Sequence, residues 1–124
     1  TQKPSSAASD VYKRQVIGNP AYDLASLIDD VRLKTSNSLK EEMFNHFTKK
    51  YVNRDLKKFE NDFLILSVLR NFKILGIFSR LAKRDGKNKY LKYIPYTWSL
   101  IKLRTKNGKV FDELRFILNN NKLI

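Results

Sequence analysis

Gly18-Asn19-Pro20-Ala21-Tyr22-Asp23-Leu24-Ala25-Ser26-Leu27 is the stretch that decides how this chain folds. Asn19 suits an N-cap, because its side-chain oxygen can accept the backbone N–H groups that the first helical turn leaves free. Pro20 suits the first helical position, where a missing N–H is no loss. Asp23 falls in the first turn, where the helix dipole favours an acid by about 0.3–1 kcal/mol. Ala21, Leu24, Leu27, Ile28 and Val31 then recur at intervals of three and four, which predicts a helix running to about Arg32.

The same periodicity continues beyond it. Ser38 and Glu41 have capping-box spacing and predict a second helix start. Leu39, Met43, Phe47 and Tyr51 mark one face of that helix, with Phe44 beside them. From about Asp55 to Lys83 the pattern is apolar on nearly every side, which predicts a buried central helix. Gly76 lies inside it at a cost of about 1 kcal/mol against alanine, so close helix packing is the expected reason for it. Arg70, Lys73 and Arg80 interrupt the apolar surface close to one line. A turn is expected at Asp85-Gly86, then a short helix around Tyr90, Leu91 and Ile94. Pro95 kinks that helix or opens the next. Asn107-Gly108 marks another turn before a last short helix carrying Phe111, Leu114, Ile117 and Leu118. No run alternates over strand length, so the segment is expected to be all-α.

Residues 1–15 share none of this order. They are small and polar, then Asp10-Val11-Tyr12-Lys13-Arg14-Gln15, and the string from Ser5 resembles a translated sequencing adapter. The expected organisation is a disordered, non-native tail over 1–15 and a partial domain over 16–124; an ordinary flexible terminus fits the tail equally.

Composition bounds the function. With 124 residues and 42% hydrophobic content, one domain or part of one can form a core. No cysteine is present, which excludes disulfides, thiolate metal sites and a cysteine nucleophile. No apolar run approaches bilayer length and no secretory leader is visible, so a cytoplasmic setting without membrane contact is expected. The formal charge is +13, and residues 70–109 hold twelve Lys/Arg against one acid, Asp85. That field suits an anion, nucleic acid included, but solvated basic faces or the Lys- and Asn-rich composition of an AT-rich genome account for it as well. The aromatic residues fall at core spacing rather than on a stacking platform, which argues against nucleic acid.

Candidate chemistry is sparse. The sole histidine, His46, has Glu42 at one helical turn but Lys50 at the next, so no metal site is expected. No nucleophile elbow and no Gly-rich phosphate loop occurs. Asp29-Asp30 sits near a helix end, where the dipole disfavours acids. That placement invites a role in a neighbouring cleft, or simple neutralisation by Arg32.

Taken together, the residues 18–24 quoted above resemble the motif that follows the metal-binding acid in aminoglycoside phosphotransferase-like kinases. Arg70-Asn71-Phe72-Lys73-Ile74-Leu75-Gly76-Ile77-Phe78, Arg80-Leu81, Arg84-Asp85-Gly86-Lys87, Tyr90-Leu91 and Pro95 follow in an order similar to one branch. It is the branch of bacterial anomeric kinases of cell-wall amino sugars, N-acetylmuramate and N-acetylglucosamine. The resemblance spans roughly 16–103 and implies the helical C-terminal lobe of a protein-kinase-like α+β fold. It implies an intact parent that uses ATP and Mg²⁺ to phosphorylate a small-molecule sugar, with peptidoglycan recycling as its setting.

The family's base lies in a His-x-Asp-x-x-x-x-Asn loop and its metal acid in Asp-Phe-x-Asp, both expected upstream of Gly18; neither occurs among residues 1–17. The chain by itself is therefore expected to hold no catalytic residue, metal or cofactor and to be inactive. By resemblance, Asp23 is a structural acid that buttresses the catalytic loop. Asp30, Arg32, Arg70 and Lys73 match positions that border the sugar cleft, with helix packing and surface charge as equal alternatives. Two other function classes stay open: a stand-alone basic helical module for nucleic acid or an acidic partner, and a kinase of aminoglycosides or choline-like alcohols.

Overall fold

A computed structural model describes residues 19–53 and 55–123, and the tail 1–15 lies outside the described residues. Among the described residues five α-helices follow one another: α1 (Pro20–Ile28), α2 (Asn37–Tyr51), α3 (Leu56–Asp85), α4 (Ile94–Thr105) and α5 (Asp112–Asn120). Short 3-10 segments, Asn88–Tyr93 and Lys109–Phe111, lead into α4 and α5. No strand occurs among the described residues, so the all-α expectation holds for them.

The helix signals act largely as their chemistry requires. Asn19 Oδ1 accepts the N–H of Ala21 at 2.9 Å and of Tyr22 at 3.4 Å, and Pro20 opens α1. The helix stops four residues short of Arg32, however. The Asp29 N–H bonds back to Ala25, and Asp30 Oδ1 accepts the Arg32 N–H at 2.9 Å, folding the chain into a side-chain-mediated turn. The capping box at Ser38 does not form either. Ser36, with φ −68° and ψ 154°, is the N-cap and accepts the Leu39 N–H at 3.1 Å, which places Ser38 inside α2. α3 closes as expected on Gly86, whose φ of 66° suits glycine, while the Lys87 N–H reaches Leu81 O at 2.9 Å.

The core lies where α1 crosses α3. Ala21, Leu24, Ala25, Ile28 and Phe63 are buried together, with Met43, Phe44 and Phe47 of α2 packed against them. Phe44 meets the rings of Phe59 and Phe63 at centroid distances of 6.1 and 5.0 Å. Leu100 and Ile101 of α4, and Phe111 and Leu118, are buried as well. The outer members of the predicted α2 face, Leu39 and Tyr51, are exposed.

Two expectations for α3 are corrected. Only Phe63, Ser67, Val68 and Asn71 are fully buried, because α1 and α4 cover one side of the helix, and Leu69 stays 60% exposed. Gly76 is not a packing glycine: it is exposed, and a Cβ built there meets nothing within 4 Å.

Candidate functional site

Burial separates the acids of α1 and the turn after it. Asp23 projects from the first turn of α1 into solvent, and no hydrogen bond to its carboxylate occurs among the described residues. Asp29 and Asp30, neighbours in sequence, part company in space. Asp29 stands eight residues after Ala21 and four after Ala25, so it continues the buried face of α1 and is 1% exposed. Asp30 turns outward.

A closed charge centre forms around Asp29. Arg104 of α4 grips it with two bonds, Nε to Oδ2 at 2.7 Å and Nη2 to Oδ1 at 2.8 Å. Ser67 of α3 donates to Oδ2 at 2.5 Å. Lys40 of α2, 3% exposed, places Nζ 3.3 Å from Oδ1 and donates to Ile28 O, at the end of α1, at 2.7 Å. The Lys40 ammonium thus serves both a free helix-end carbonyl and the carboxylate beside it. Arg104 also lies over the Phe63 ring at 4.9 Å. Burial pushes the Asp29 carboxyl up. The Arg104 guanidinium, helped by Ser67 and Lys40, outweighs that effect and holds it below the ordinary carboxylate value.

This centre ties the three longest helices and the end of α1 to one buried anion. It also forms one end of a cleft of about 400 Å³, lined by Lys40, Arg104, Phe44, Phe63, Glu41 and Glu60 among others. With both carboxylate oxygens occupied, Asp29 accepts no further proton donor cheaply, so its chemistry is structural.

The second cluster lies outside the core. Asp30 accepts Arg32 through Nε at 3.1 Å and Nη2 at 3.0 Å. That Arg32 bond, opposed by partial burial, lowers the Asp30 carboxyl, and the positive charge of Arg70 adds to the effect. Asp30, Arg32 and Arg70 are therefore brought to one neighbourhood, with Tyr93 in electrostatic reach of Arg32. Lys73 is exposed on α3, one turn beyond Arg70.

Sequence reading singled out the pair Asp29-Asp30 without telling which acid is buried, and it missed Lys40, Ser67 and Arg104. Arg104 is 75 residues from its acid, a separation that no local spacing rule reaches. The available signals were polar residues in apolar register: Asp29 after Ala21 and Ala25, and Ser67 and Asn71 after Phe63.

His46 is exposed on α2 and borders a mainly apolar groove with Leu24, Leu27 and Phe47. Among the described residues no group of three or more His, Asp or Glu could hold a metal ion, and no helix is long and apolar enough to cross a membrane.

Comparison with known proteins gives one relative. Over 87 residues, 70% of this chain, the sequence is 32% identical to the N-acetylmuramate/N-acetylglucosamine kinase of Caulobacter vibrioides. The chain spans about a quarter of the length of that curated relative, 24% of it being covered. No protein-family model matches the chain, and no solved structure matches it. Over those 87 residues, the chain is thus similar to part of a sugar kinase.

Proposed function

We propose that this chain is the C-terminal helical part of a sugar kinase, whose parent transfers the γ-phosphoryl of ATP to the anomeric hydroxyl of a cell-wall amino sugar. The observation that carries the proposal is the 32% identity over 87 residues to a kinase named for N-acetylmuramate and N-acetylglucosamine. The capped α1 with Asp23 in its first turn supports it, since such a helix sits beside the catalytic machinery in the kinases that the motif resembles.

Phosphoryl transfer relies on a positioned base, Mg²⁺ bridging the phosphates and charge stabilisation of the moving group. In the proposed parent, the base and the metal acid come from loops that this chain does not contain. Asp23 would receive backbone N–H groups from the catalytic loop and hold it in place. Asp30, Arg32, Arg70 and Lys73 would border the sugar cleft, where a surplus of positive charge favours oxyanions. ATP and Mg²⁺ belong to the parent, and the supply of ATP gives it a cytoplasmic place.

Two experiments test this. The purified 124-residue chain is expected neither to bind Mg-ATP nor to phosphorylate N-acetylmuramate or N-acetylglucosamine, and measurable ATP hydrolysis by it defeats the proposal. The genomic reading frame upstream of Val16 is expected to encode His-x-Asp and Asp-Phe-x-Asp loops, and a frame without them removes the kinase assignment.

A further inference from the structure

Arg70 is half-buried, and its guanidinium has no partner among the described residues. Its Nη1 is shut off from solvent yet makes no hydrogen bond, and no ion pair to Arg70 occurs among the described residues. Withdrawing a charged donor from water without replacing its hydrogen bonds is costly. Asp30, the acid nearest in effect, does not relieve it. Its Oδ1 accepts the Arg32 backbone N–H at 2.9 Å and Nε at 3.1 Å, and its Oδ2 accepts Nη2 at 3.0 Å.

The balance of charge around Arg70 points the same way. Lys73 stands one turn along the same helix, exposed and outside every ion pair among the described residues. Arg32 and Arg70 thus act on a carboxylate whose oxygens Arg32 already occupies. The remaining donors of this half-exposed guanidinium also make no hydrogen bond among the described residues, and a planar guanidinium matches a carboxylate, which it can grip with two parallel bonds.

We infer that Arg70 is an oxyanion receptor that takes the carboxylate of an acidic sugar, with Lys73 adding long-range attraction. This rests on the kinase proposal for the sugar, and on the orphaned guanidinium alone for the carboxylate. It divides the two sugars of that proposal: N-acetylmuramate carries a carboxylate and N-acetylglucosamine does not. Arg70 would therefore set a preference for the acidic sugar by binding it, without touching the hydroxyl that is phosphorylated.

The test is a titration of the ¹⁵N-labelled full chain, followed through the arginine Nε–H resonances. Arg70→Lys removes and so identifies the Arg70 signal; should that variant fail to fold, through-bond assignment of the unaltered chain serves. N-acetylmuramate is expected to shift the Arg70 signal saturably and N-acetylglucosamine to leave it in place. Arg70→Gln is expected to weaken N-acetylmuramate binding about tenfold or more, the scale of one charge-assisted bond. D-lactate and inorganic phosphate separate the sources. An Arg70 signal that moves with phosphate alone, or with none of the four, overturns the inference and leaves the kinase proposal standing. Equal affinity for D-lactate and N-acetylmuramate keeps the carboxylate receptor and removes the sugar from it, which counts against the kinase proposal instead.

Discussion

Asp29 and Asp30 show how far one residue step can separate two carboxylates. The outer pair, Asp30 with Arg32, is 24% and 72% exposed, and such solvent-screened pairs contribute little to stability. Asp29 is buried among Arg104, Lys40 and Ser67, so losing one partner leaves an uncompensated charge. Arg104→Ala is expected to destabilise the fold by about 3–5 kcal/mol, measured by urea unfolding, whereas Arg32→Ala should leave the unfolding midpoint nearly unchanged. Equal effects of the two substitutions would contradict the buried-centre account. The Asp29 carboxyl is lowered in the folded state, so its contribution to stability is complete above the unfolded value of about 3.9 and is lost as pH falls through the lower, folded value. Unfolding midpoints taken from pH 7 to pH 2 should be insensitive to Asp29 near neutrality and fall below about pH 4. The Asp29→Asn variant should be less stable at pH 7, with a shallower acid limb.

At the scale of elements, the caps and the middle of α3 carry the sharpest expectations. Ser36 accepts the Leu39 N–H, whereas Ser38 lies within α2 and is exposed. Ser36→Ala should cost about 1 kcal/mol and Ser38→Ala no more than about 0.5 kcal/mol, a contrast readable in thermal denaturation. The reverse order would restore Ser38 as the cap. Gly76 sits in open space on an exposed helical face, so Gly76→Ala should stabilise the chain by about 0.5–1 kcal/mol. A destabilising Gly76→Ala would mean that another surface closes on this face in solution. Helix existence was legible in the sequence for all five helices, because 3.6-residue periodicity and capping chemistry are local. The end of α1 was not, because the turn after Ile28 depends on Asp30 reaching the Arg32 backbone.

For the whole molecule, the unusual quantity is apolar surface left facing solvent. Leu27, Leu69, Phe116 and Ile117 are each more than half exposed, and Leu27 borders the groove between α1 and α2. If the remainder of a kinase covers such surfaces, the isolated chain should bind a hydrophobic dye more strongly than a compact helical protein of equal size, or self-associate. Fluorescence of 1-anilinonaphthalene-8-sulfonate at the level of a compact reference protein would argue that the chain stands alone.

The amino-acid sequence by itself determined the helical class, most of the helix starts and stops, and the likeness to a kinase segment, because each rests on spacing within a few turns of chain. Through resemblance it also suggested Asp30, Arg32, Arg70 and Lys73 as one group. Only the tertiary structure decided which acid is buried, since Arg104 reaches Asp29 across 75 residues and Lys40 and Ser67 arrive from two other helices. Only the fold, too, left the Arg70 guanidinium without a partner among the described residues, because pairing depends on where α3 sets it against a turn whose outward acid, Asp30, is already taken by Arg32.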